Sequence, residues 1–179
     1  FAELLPPAIA ALPANIRLRL RLTQQCRAEQ LDTLRAAYQK LGVTATVEPF
    51  FDDIPDIMAN SHLLISRAGA SSVAELAAAG RAAILLPLPG AMDDHQTANA
   101  LQMASVGGGL CRAEAELDAA TLSDDITNLF SDGEQLAQMC RNAHKLAMPD
   151  AAQTIVDYAL ALSNKSSRQP AHSISGSRS

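Results

Sequence analysis

The segment Arg67–Glu75, with the sequence RAGASSVAE, places small residues and serines where a short apolar run gives way to a helical pattern. Gly69 can adopt backbone conformations closed to other residues, and small side chains let a ligand approach the backbone. The first N–H groups of a helix have no partner within it, and with the helix dipole they favour an anion. One interpretation of this segment is therefore a site for an anion such as a diphosphate at the start of the helix.

The spacing of Ser72 and Glu75 allows another interpretation of the same segment. A serine followed three residues later by glutamate is a capping box, in which each side chain accepts a hydrogen bond from the other residue's backbone N–H. On spacing alone the capping box is the favoured interpretation, and it gives both side chains a structural role. Under either interpretation a helix begins in this segment.

A second polar cluster follows a turn rich in proline and glycine. Asp93, Asp94 and His95 carry metal-ligating side chains, but consecutive residues rarely converge on one ion, and no second His or Cys cluster is near in sequence. A metal site is therefore disfavoured, and Asp93 or Asp94 is better interpreted as a helix N-cap. His95 and Gln96 can then offer hydrogen bonds to a polar ligand. Gln96 and Asn99 could instead be ordinary surface residues of the first helical turn.

Two of the four phenylalanines, Phe50 and Phe51, stand together in the segment Phe50–Asp53, at the end of a predicted strand. Core packing beneath the loop is the default interpretation, because large apolar side chains are usually buried. The alternative is a wall for a flat heteroaromatic ring, with backbone groups reading the ring's hydrogen-bonding edge.

Composition and missing motifs exclude several classes of function. The 179 residues carry a net charge of −5, so we expect no nucleic-acid partner. Cys26, Cys111 and Cys140 are an odd number at wide spacing, which excludes a fully paired disulfide framework and a CxxC metal site. No apolar run reaches the roughly 20 residues of a membrane span. A GxSxG elbow, a GxGxxG fingerprint and a Walker loop are all missing from the sequence, which disfavours serine nucleophiles, NAD(P) dehydrogenases and P-loop NTPases.

Short β-like runs alternate with longer helical ones along the chain, which predicts an open, parallel, Rossmann-like α/β sheet of four or five strands with helices on both sides and further helices at the C-terminus. Ligands of such sheets bind at the carboxyl ends of the strands, so the three segments described above are expected at one edge. Asp53 is a predicted N-cap, with Pro55 in the first turn that follows. Strands are predicted at 16–22, 43–47, 62–66, 82–87 and 110–113, and helices at 27–41, 54–60, 72–79, 95–106, 119–130, 134–146 and 151–162.

The last fifteen residues, 165–179, differ from the rest in being rich in serine and basic residues and free of acidic ones. Such a composition cannot bury enough apolar surface to fold, so we predict a disordered tail. Residues 1–164 form the predicted domain.

The stretch Ile65–Ala100 closely resembles the donor-binding core of the MurG family of bacterial glycosyltransferases. Its Arg-x-Gly-Ala…Glu-Leu and Asp-His-Gln-x-x-Asn-Ala elements carry the resemblance, and in combination they are far more specific than a lone glycine motif. Weaker similarity extends over residues 1–162. The resemblance implies the C-terminal half of a two-domain GT-B fold, with residues 1–164 as the UDP-sugar donor-binding domain.

The resemblance also implies a role for each candidate residue. Members of the family transfer N-acetylglucosamine from UDP-N-acetylglucosamine with inversion and need no metal or other cofactor. Backbone groups at Phe51 would read the uracil edge, and Glu75 would accept hydrogen bonds from the ribose hydroxyls. His95 and Gln96 match the pair that holds the sugar. The residues lining the nucleotide and diphosphate would be Gly69, Ala70, Ser71 and Ser72.

The first residues of the chain resemble the helix that follows the family's Gly-Gly-Ser-x-Gly loop, so we expect that loop and the N-terminal acceptor domain to be missing. The family's acceptor is a lipid-linked muramoyl-pentapeptide (lipid I), and its product (lipid II) serves peptidoglycan synthesis on the cytoplasmic face of the inner membrane, where the whole enzyme is peripheral. The general base would lie in the missing domain, so no catalytic residue is assigned and the chain alone is expected to be inactive. Half of a UDP-sugar epimerase and a non-catalytic α/β binding module remain alternatives.

Overall fold

Parallel strands alternate with helices along most of the chain, as expected for βαβ units. The computed structural model describes residues 1–90 and 94–166. Short 3-10 helices cover Ala28–Gln30 and Glu114–Glu116. The other elements, in chain order, are α1 (Leu5–Ala11), α2 (Ala14–Arg17), β1 (Arg21–Gln25), α3 (Leu31–Lys40), β2 (Thr44–Glu48), α4 (Ile54–Ala59), β3 (Leu63–Ser66), α5 (Ala70–Ala79), β4 (Ala82–Leu85), α6 (His95–Ser105), β5 (Gly109–Cys111), α7 (Ala119–Ser131), α8 (Gly133–His144) and α9 (Ala151–Ser166).

The strands form two hydrogen-bonded sheets, and every pairing is parallel. In the first sheet β1 pairs with β2, and in the second β4 lies between β3 and β5. The predicted open parallel α/β fold is confirmed, although the strands divide between two sheets where the sequence led us to expect one. Because the strands of each sheet are parallel, the loops that follow β3 and β4 leave the sheet at the same edge.

Strand β4 is covered on both faces. All four of its residues are fully buried. Ala82 and Ile84 belong to an apolar cluster with residues of α1, α3 and α7, whereas Ala83 and Leu85 belong to a second cluster with residues of α5 and α6. Successive side chains of a strand point to opposite faces, so the continuous apolar run at 82–87 correctly predicted helices on both sides.

The strand predicted at 16–22 is wrong in its position. Helix α2 occupies the first part of this segment, and β1 starts only at Arg21. The guanidinium group of Arg17 donates to the carbonyl oxygens of Ala10 and Leu12 at 2.8 and 3.2 Å. The last carbonyls of a helix have no partner within it. Arg17 therefore completes the end of α1, a contact that the alternating pattern IRLRLRL does not reveal.

Aspartate immediately precedes several helices, among them α4, α7 and α8. Asp53 occupies the predicted N-cap position of α4, but its side chain accepts no capping hydrogen bond. Asp118 and Asp132 do cap α7 and α8, where their carboxylates accept from the backbone N–H groups of Thr121 and Gln135 at 2.7 and 2.9 Å. Hydrogen bonding to Thr121 lowers the pKa of Asp118, because it stabilises the charged form.

A bidentate ion pair ties the end of β5 to α7. The guanidinium group of Arg112 donates to both carboxylate oxygens of Asp125 at 2.7 Å. The Asp125 side chain is only 12% exposed, and that of Arg112 is 35% exposed. The hydrogen bond to Asp125 raises the pKa of Arg112. Since a carboxylate with so little access to water needs this partner, the pair fixes α7 against the three-stranded sheet.

We expect Asp125→Asn to lower the free energy of unfolding by about 1–3 kcal/mol, because it leaves the Arg112 guanidinium without its charged acceptor. Urea unfolding followed by circular dichroism measures the change. Glu134→Gln is the control, since the pair of Glu134 with Arg141 is exposed and should cost less than about 0.5 kcal/mol. Equal losses in the two variants would contradict this role for Asp125.

The chain divides into two compact units, Phe1–Ala147 and Met148–Ser179. In the second unit the structure describes residues 148–166, most of them in α9. The tail predicted at 165–179 lies outside the described residues from position 167 onward. No described helix combines the length and apolar character that crossing a bilayer requires.

Candidate functional site

The first turn of α5 presents backbone N–H groups without acceptors. The helix follows β3 after the three-residue connection 67–69, and its first hydrogen bond runs from the N–H of Val73 to the carbonyl of Gly69 at 3.0 Å. The N–H groups of Ala70, Ser71 and Ser72 donate to no acceptor within residues 1–90 and 94–166. Three such donors in succession, at the positive end of the helix dipole, suit an anionic ligand.

The capping box favoured from the spacing of Ser72 and Glu75 is wrong. The helix begins at Ala70 with Gly69 as its N-cap, so Ser72 lies inside the first turn and makes no capping hydrogen bond. Glycine has no side-chain oxygen to satisfy the first N–H groups, in contrast to the aspartate caps of α7 and α8. These donors are consequently left for an acceptor from outside the helix.

Glu75 shares an exposed face of α5 with Ser71. The two residues are four apart on the helix, which places them on the same side, and both are exposed. The Glu75 carboxylate has no hydrogen bond or ion pair with any residue that the structure describes. A free carboxylate thus stands about 6 Å along the helix axis from the N–H group of Ser71.

Gly69 does not use the conformational freedom that the sequence analysis expected of it. Its φ of −59° is accessible to any residue. A Cβ atom at this position would meet only the Oγ of Ser72, at an ordinary contact distance of 3.7 Å. The packing of the described protein therefore does not require glycine here. The glycine does leave the N-cap position of α5 without a side chain.

Two amide side chains of α6 hold the connection that leads into α5. The Oε1 atom of Gln96 accepts from the backbone N–H groups of Ala68 and Leu88 at 3.3 and 3.0 Å. The Nδ2 atom of Asn99 donates to the carbonyl of Ala68 at 3.0 Å. The interpretation of Gln96 and Asn99 as ordinary surface residues is therefore wrong, because both are bonded to a residue that is fully buried.

The polar cluster at the start of α6 is only partly described. His95 is the first residue of the helix and is exposed. Asp94 occupies the N-cap position with a φ of +54°, and its side chain makes no capping hydrogen bond. Asp93, the other predicted N-cap and metal ligand, lies outside the described residues. Within the described parts of the chain, no three His, Cys, Asp or Glu side chains are grouped as a metal site would require.

The two phenylalanines lie beyond the carboxyl end of β2. Phe50 is 67% exposed, so its expected packing into the core is wrong. Phe51 is half-buried. No hydrogen bond joins Phe51 to α5 or α6 among the described residues. Gln96 is hydrogen-bonded to Ala68, so it lies beside the connection that leads to Gly69, Ala70, Ser71 and Ser72. Phe51 lies instead in the loop that follows β2 of the other sheet.

Arg67, the first residue of the same connection, has a role that the sequence analysis missed. Its guanidinium group donates to the two carboxylate oxygens of Glu114 at 2.8 and 3.0 Å and to the carbonyls of Leu86 and Pro87 at 3.3 Å. It also lies 5.3 Å from the centre of the Phe1 ring, within the range of a cation–π contact. The hydrogen bond from Arg67 lowers the pKa of Glu114. Arg67 therefore joins the segments that follow β3, β4 and β5.

Two concave regions lie near these strand ends. An open groove of about 780 Å³ is lined by residues that follow β1 and β2, among them Gln25, Arg27 and Pro49. A smaller cavity of about 170 Å³ is lined in part by Arg67, Leu86 and Glu114. The first turn of α5 lines neither of them, and its residues Ala70 and Ser71 are exposed.

We expect Arg67→Met to raise the pKa of Glu114 toward its ordinary value of 4.5, because the hydrogen bond that stabilises the carboxylate is lost. In the unaltered protein the pair stabilises the fold above that pH and stops doing so as the pH falls through the lowered pKa. Carboxyl 13C NMR titration measures both values. Arg141→Met, which removes a different arginine–glutamate pair, should leave the pKa of Glu114 unchanged. If the pKa of Glu114 stayed the same in Arg67→Met, Arg67 would not be the group that lowers it.

A comparison with protein families identifies the domain. The family model described as the glycosyltransferase family 28 C-terminal domain matches residues 2–155. The match spans every strand of both sheets and helices α1–α8, including the whole connection between β3 and α5.

Curated relatives agree with this match. A protein of Granulibacter bethesdensis is 46% identical over 156 residues, which cover 87% of this chain and 41% of the relative. A protein of Rhodospirillum centenum is 48% identical over 160 residues, which cover 89% of this chain and 42% of the relative. Both are named UDP-N-acetylglucosamine–N-acetylmuramyl-(pentapeptide) pyrophosphoryl-undecaprenol N-acetylglucosamine transferase. The chain thus spans about two fifths of the length of these relatives.

Solved structures share the fold. MurG of Acinetobacter baumannii superimposes with a TM-score of 0.78 at 34% identity, over 87% of this chain and 44% of that one. The glycotransferase of kitacinnamycin superimposes with a TM-score of 0.59 over 86% of this chain and 37% of that one, and at 18% identity it shows the fold alone. The resemblance to the MurG family found in the sequence is confirmed. On the match of residues 2–155, the chain belongs to glycosyltransferase family 28, of which it carries the C-terminal domain.

Proposed function

We propose that this chain is the UDP-N-acetylglucosamine-binding part of an inverting glycosyltransferase that converts lipid I to lipid II in peptidoglycan synthesis. The names of the relatives and the family match support this activity. The structural observation that carries the proposal is the first turn of α5. There, three backbone N–H groups lack acceptors among the described residues, the N-cap is a glycine without a side chain, and Glu75 is exposed on the same helix.

The spacing along α5 fits the two polar parts of a nucleoside diphosphate. The N–H groups of Ala70, Ser71 and Ser72 are donors for the diphosphate oxygens, which carry the ligand's charge. The Glu75 carboxylate is an acceptor-only group and therefore suits the two hydroxyls of a ribose. About 6 Å of helix rise separates Ser71 from Glu75. That is the scale of the separation between a nucleotide's phosphate and its ribose hydroxyls.

The remaining candidate residues have proposed roles at the two ends of the donor. The backbone at Phe51 reads the hydrogen-bonding edge of uracil. His95 and Gln96 hold the N-acetylglucosamine. Since the Oε1 atom of Gln96 already accepts two backbone hydrogen bonds, its Nε2 group is the part that donates to a sugar oxygen.

The proposed reaction is a displacement at the anomeric carbon. A hydroxyl of the lipid-linked muramoyl sugar forms a bond to that carbon as the bond to the diphosphate oxygen breaks and UDP leaves. The hydroxyl proton passes to a general base. Negative charge grows on the departing diphosphate, and backbone donors already directed at it stabilise that charge without reorganising. The site so proposed uses backbone donors and invokes no metal or cofactor.

The acceptor site and the general base belong, in this proposal, to the part of the longer relatives that the chain does not cover. The chain matches only 41% and 42% of the two relatives described above. We propose that the whole enzyme works at the cytoplasmic face of the inner membrane, where its lipid-linked acceptor resides.

We expect Glu75→Gln to weaken UDP binding by about 1–3 kcal/mol, because a charge-assisted hydrogen bond to the ribose is replaced by a neutral one. Isothermal titration calorimetry measures the affinity. Glu29→Gln is the matched control, since Glu29 is likewise exposed but lies in the short 3-10 helix before α3. Equal affinity of Glu75→Gln and the unaltered protein, with the fold intact, would remove Glu75 from the site.

The same calorimetry also tests which nucleotide base the site prefers. UDP and UDP-N-acetylglucosamine should bind, and ADP-glucose should bind at least about tenfold more weakly, because a purine presents different hydrogen-bonding groups. Heat from neither sugar nucleotide would favour a non-catalytic α/β module. Analysis of the products formed by the longer enzyme separates a transferase from a UDP-sugar epimerase.

We expect residues 1–179 alone to transfer no N-acetylglucosamine to the lipid-linked acceptor, because the general base and the acceptor surface are assigned elsewhere. A radiolabel transfer assay with UDP-N-acetylglucosamine and lipid I measures turnover. Activity above a blank without protein would overturn the assignment of the base to the remainder of the enzyme.

A further inference from the structure

We propose that Asn99, together with Gln96, is a positioning residue that sets the direction of the N–H groups at the start of α5 before any ligand arrives. The inference rests on the proposed function, since it explains how the donor site is prepared. It assigns a role to Asn99, and it gives the carbonyl end of the Gln96 side chain a task separate from contact with the sugar.

Both polar groups of the Ala68 residue are bonded to α6. Its N–H donates to Gln96 Oε1 at 3.3 Å, and its carbonyl accepts from Asn99 Nδ2 at 3.0 Å. Gln96 and Asn99 are three residues apart, so they project from the same side of the helix. Because Ala68 donates one of these hydrogen bonds and accepts the other, the peptide planes on both sides of it are held. The two bonds oppose rotation of the backbone at that point.

Two of the three residues of the connection between β3 and α5, Arg67 and Ala68, are bonded to other elements of the protein. Arg67 is bonded to Glu114 and to the carbonyls that follow β4. Ala68 is fully buried and held by α6. The carbonyl of Gly69 accepts from Val73. The N–H groups without acceptors among the described residues start at Gly69, so the bonds that set their direction are those of Arg67 and Ala68 just before them.

Helix α6 is a firm support for this arrangement. Its residues Ala100 and Met103 are fully buried in the same apolar cluster as Ala68, Val73 and Leu76. The Gln96 oxygen also accepts from the N–H of Leu88, which ties the loop after β4 to the same point. A site held in its binding geometry beforehand loses less conformational freedom when the ligand binds, so affinity is gained without an added contact.

A positioning role and a direct ligand contact make different predictions for the ligand-free protein. If Asn99 only touched a bound sugar, its removal would leave the empty protein unchanged. If it holds Ala68, its removal loosens the connection in the absence of any ligand. Amide hydrogen exchange at Ala68 and Leu88 detects this difference, because both N–H groups are hydrogen-bonded in the intact protein.

The test uses Asn99→Leu and Gln96→Met, which keep the approximate size of each side chain and remove its hydrogen bonds. Gln102→Met is the matched control, since Gln102 is an exposed residue of the same helix whose side chain has no hydrogen bond to the described residues. Gln96→Glu is the conservative variant, because a carboxylate oxygen can still accept from both N–H groups. Exchange is measured by NMR without ligand, and UDP affinity by calorimetry.

We expect exchange at Ala68 and Leu88 to become about tenfold faster in Gln96→Met, and exchange at Ala68 about threefold faster in Asn99→Leu. Gln96→Glu and Gln102→Met should retain the original exchange rates. UDP affinity should fall about three- to tenfold in Gln96→Met and in Asn99→Leu. If Asn99→Leu fails to fold, Asn99→Asp removes the same donor with even less change of shape and should also give faster exchange at Ala68.

Unchanged exchange at Ala68 in a folded Asn99 variant would overturn the inference, whatever happens to UDP affinity. Failure of the proposed function is a separate result. In that case the unaltered chain does not bind UDP, while the exchange rates still report whether α6 holds the connection.

Discussion

The proposed donor site depends on one constraint: the backbone N–H groups in the first turn of a helix cannot be satisfied by that helix. In α5 the preceding residue is glycine, which supplies no capping oxygen, and three successive N–H groups remain without an acceptor among the described residues. Their position is set by buried structure behind them. β3 pairs with β4, β4 is buried on both faces, and the intervening connection is bonded to Glu114 and α6. The exposed first turn of α5 is thereby attached to a buried, apolar interior.

The local sequence pattern was sufficient to predict the fold class. The run of apolar residues at 82–87 predicted that β4 is covered on both faces, and periodicity predicted most of the helices. The local pattern failed where it allowed two outcomes. The alternation at 16–22 is compatible with a strand, but Arg17 completes the end of α1 and a short helix takes its place. The spacing of Ser72 and Glu75 is compatible with a capping box, but the helix starts at Ala70, a shift that spacing cannot detect.

The residues that organise the site were harder to predict than those that line it. Small residues before a helix reveal a possible anion site because the chemistry is local. The bonds from Asn99 to Ala68 and from Arg67 to Glu114 join residues that are 31 and 47 positions apart. Their partners are brought together only by the parallel arrangement of β3, β4 and β5. No spacing rule applies to such pairs, so a single sequence identifies their residue types but not their contacts.

The most direct test of this account is an NMR titration of the 15N-labelled chain with UDP. We expect saturable binding, with the largest chemical-shift changes at the N–H groups of Ala70, Ser71 and Ser72, because these groups acquire acceptors when the diphosphate binds. Saturable binding that leaves these three N–H groups unperturbed and shifts others, such as those of Gln25 and Arg27 in the groove beside β1, would contradict it.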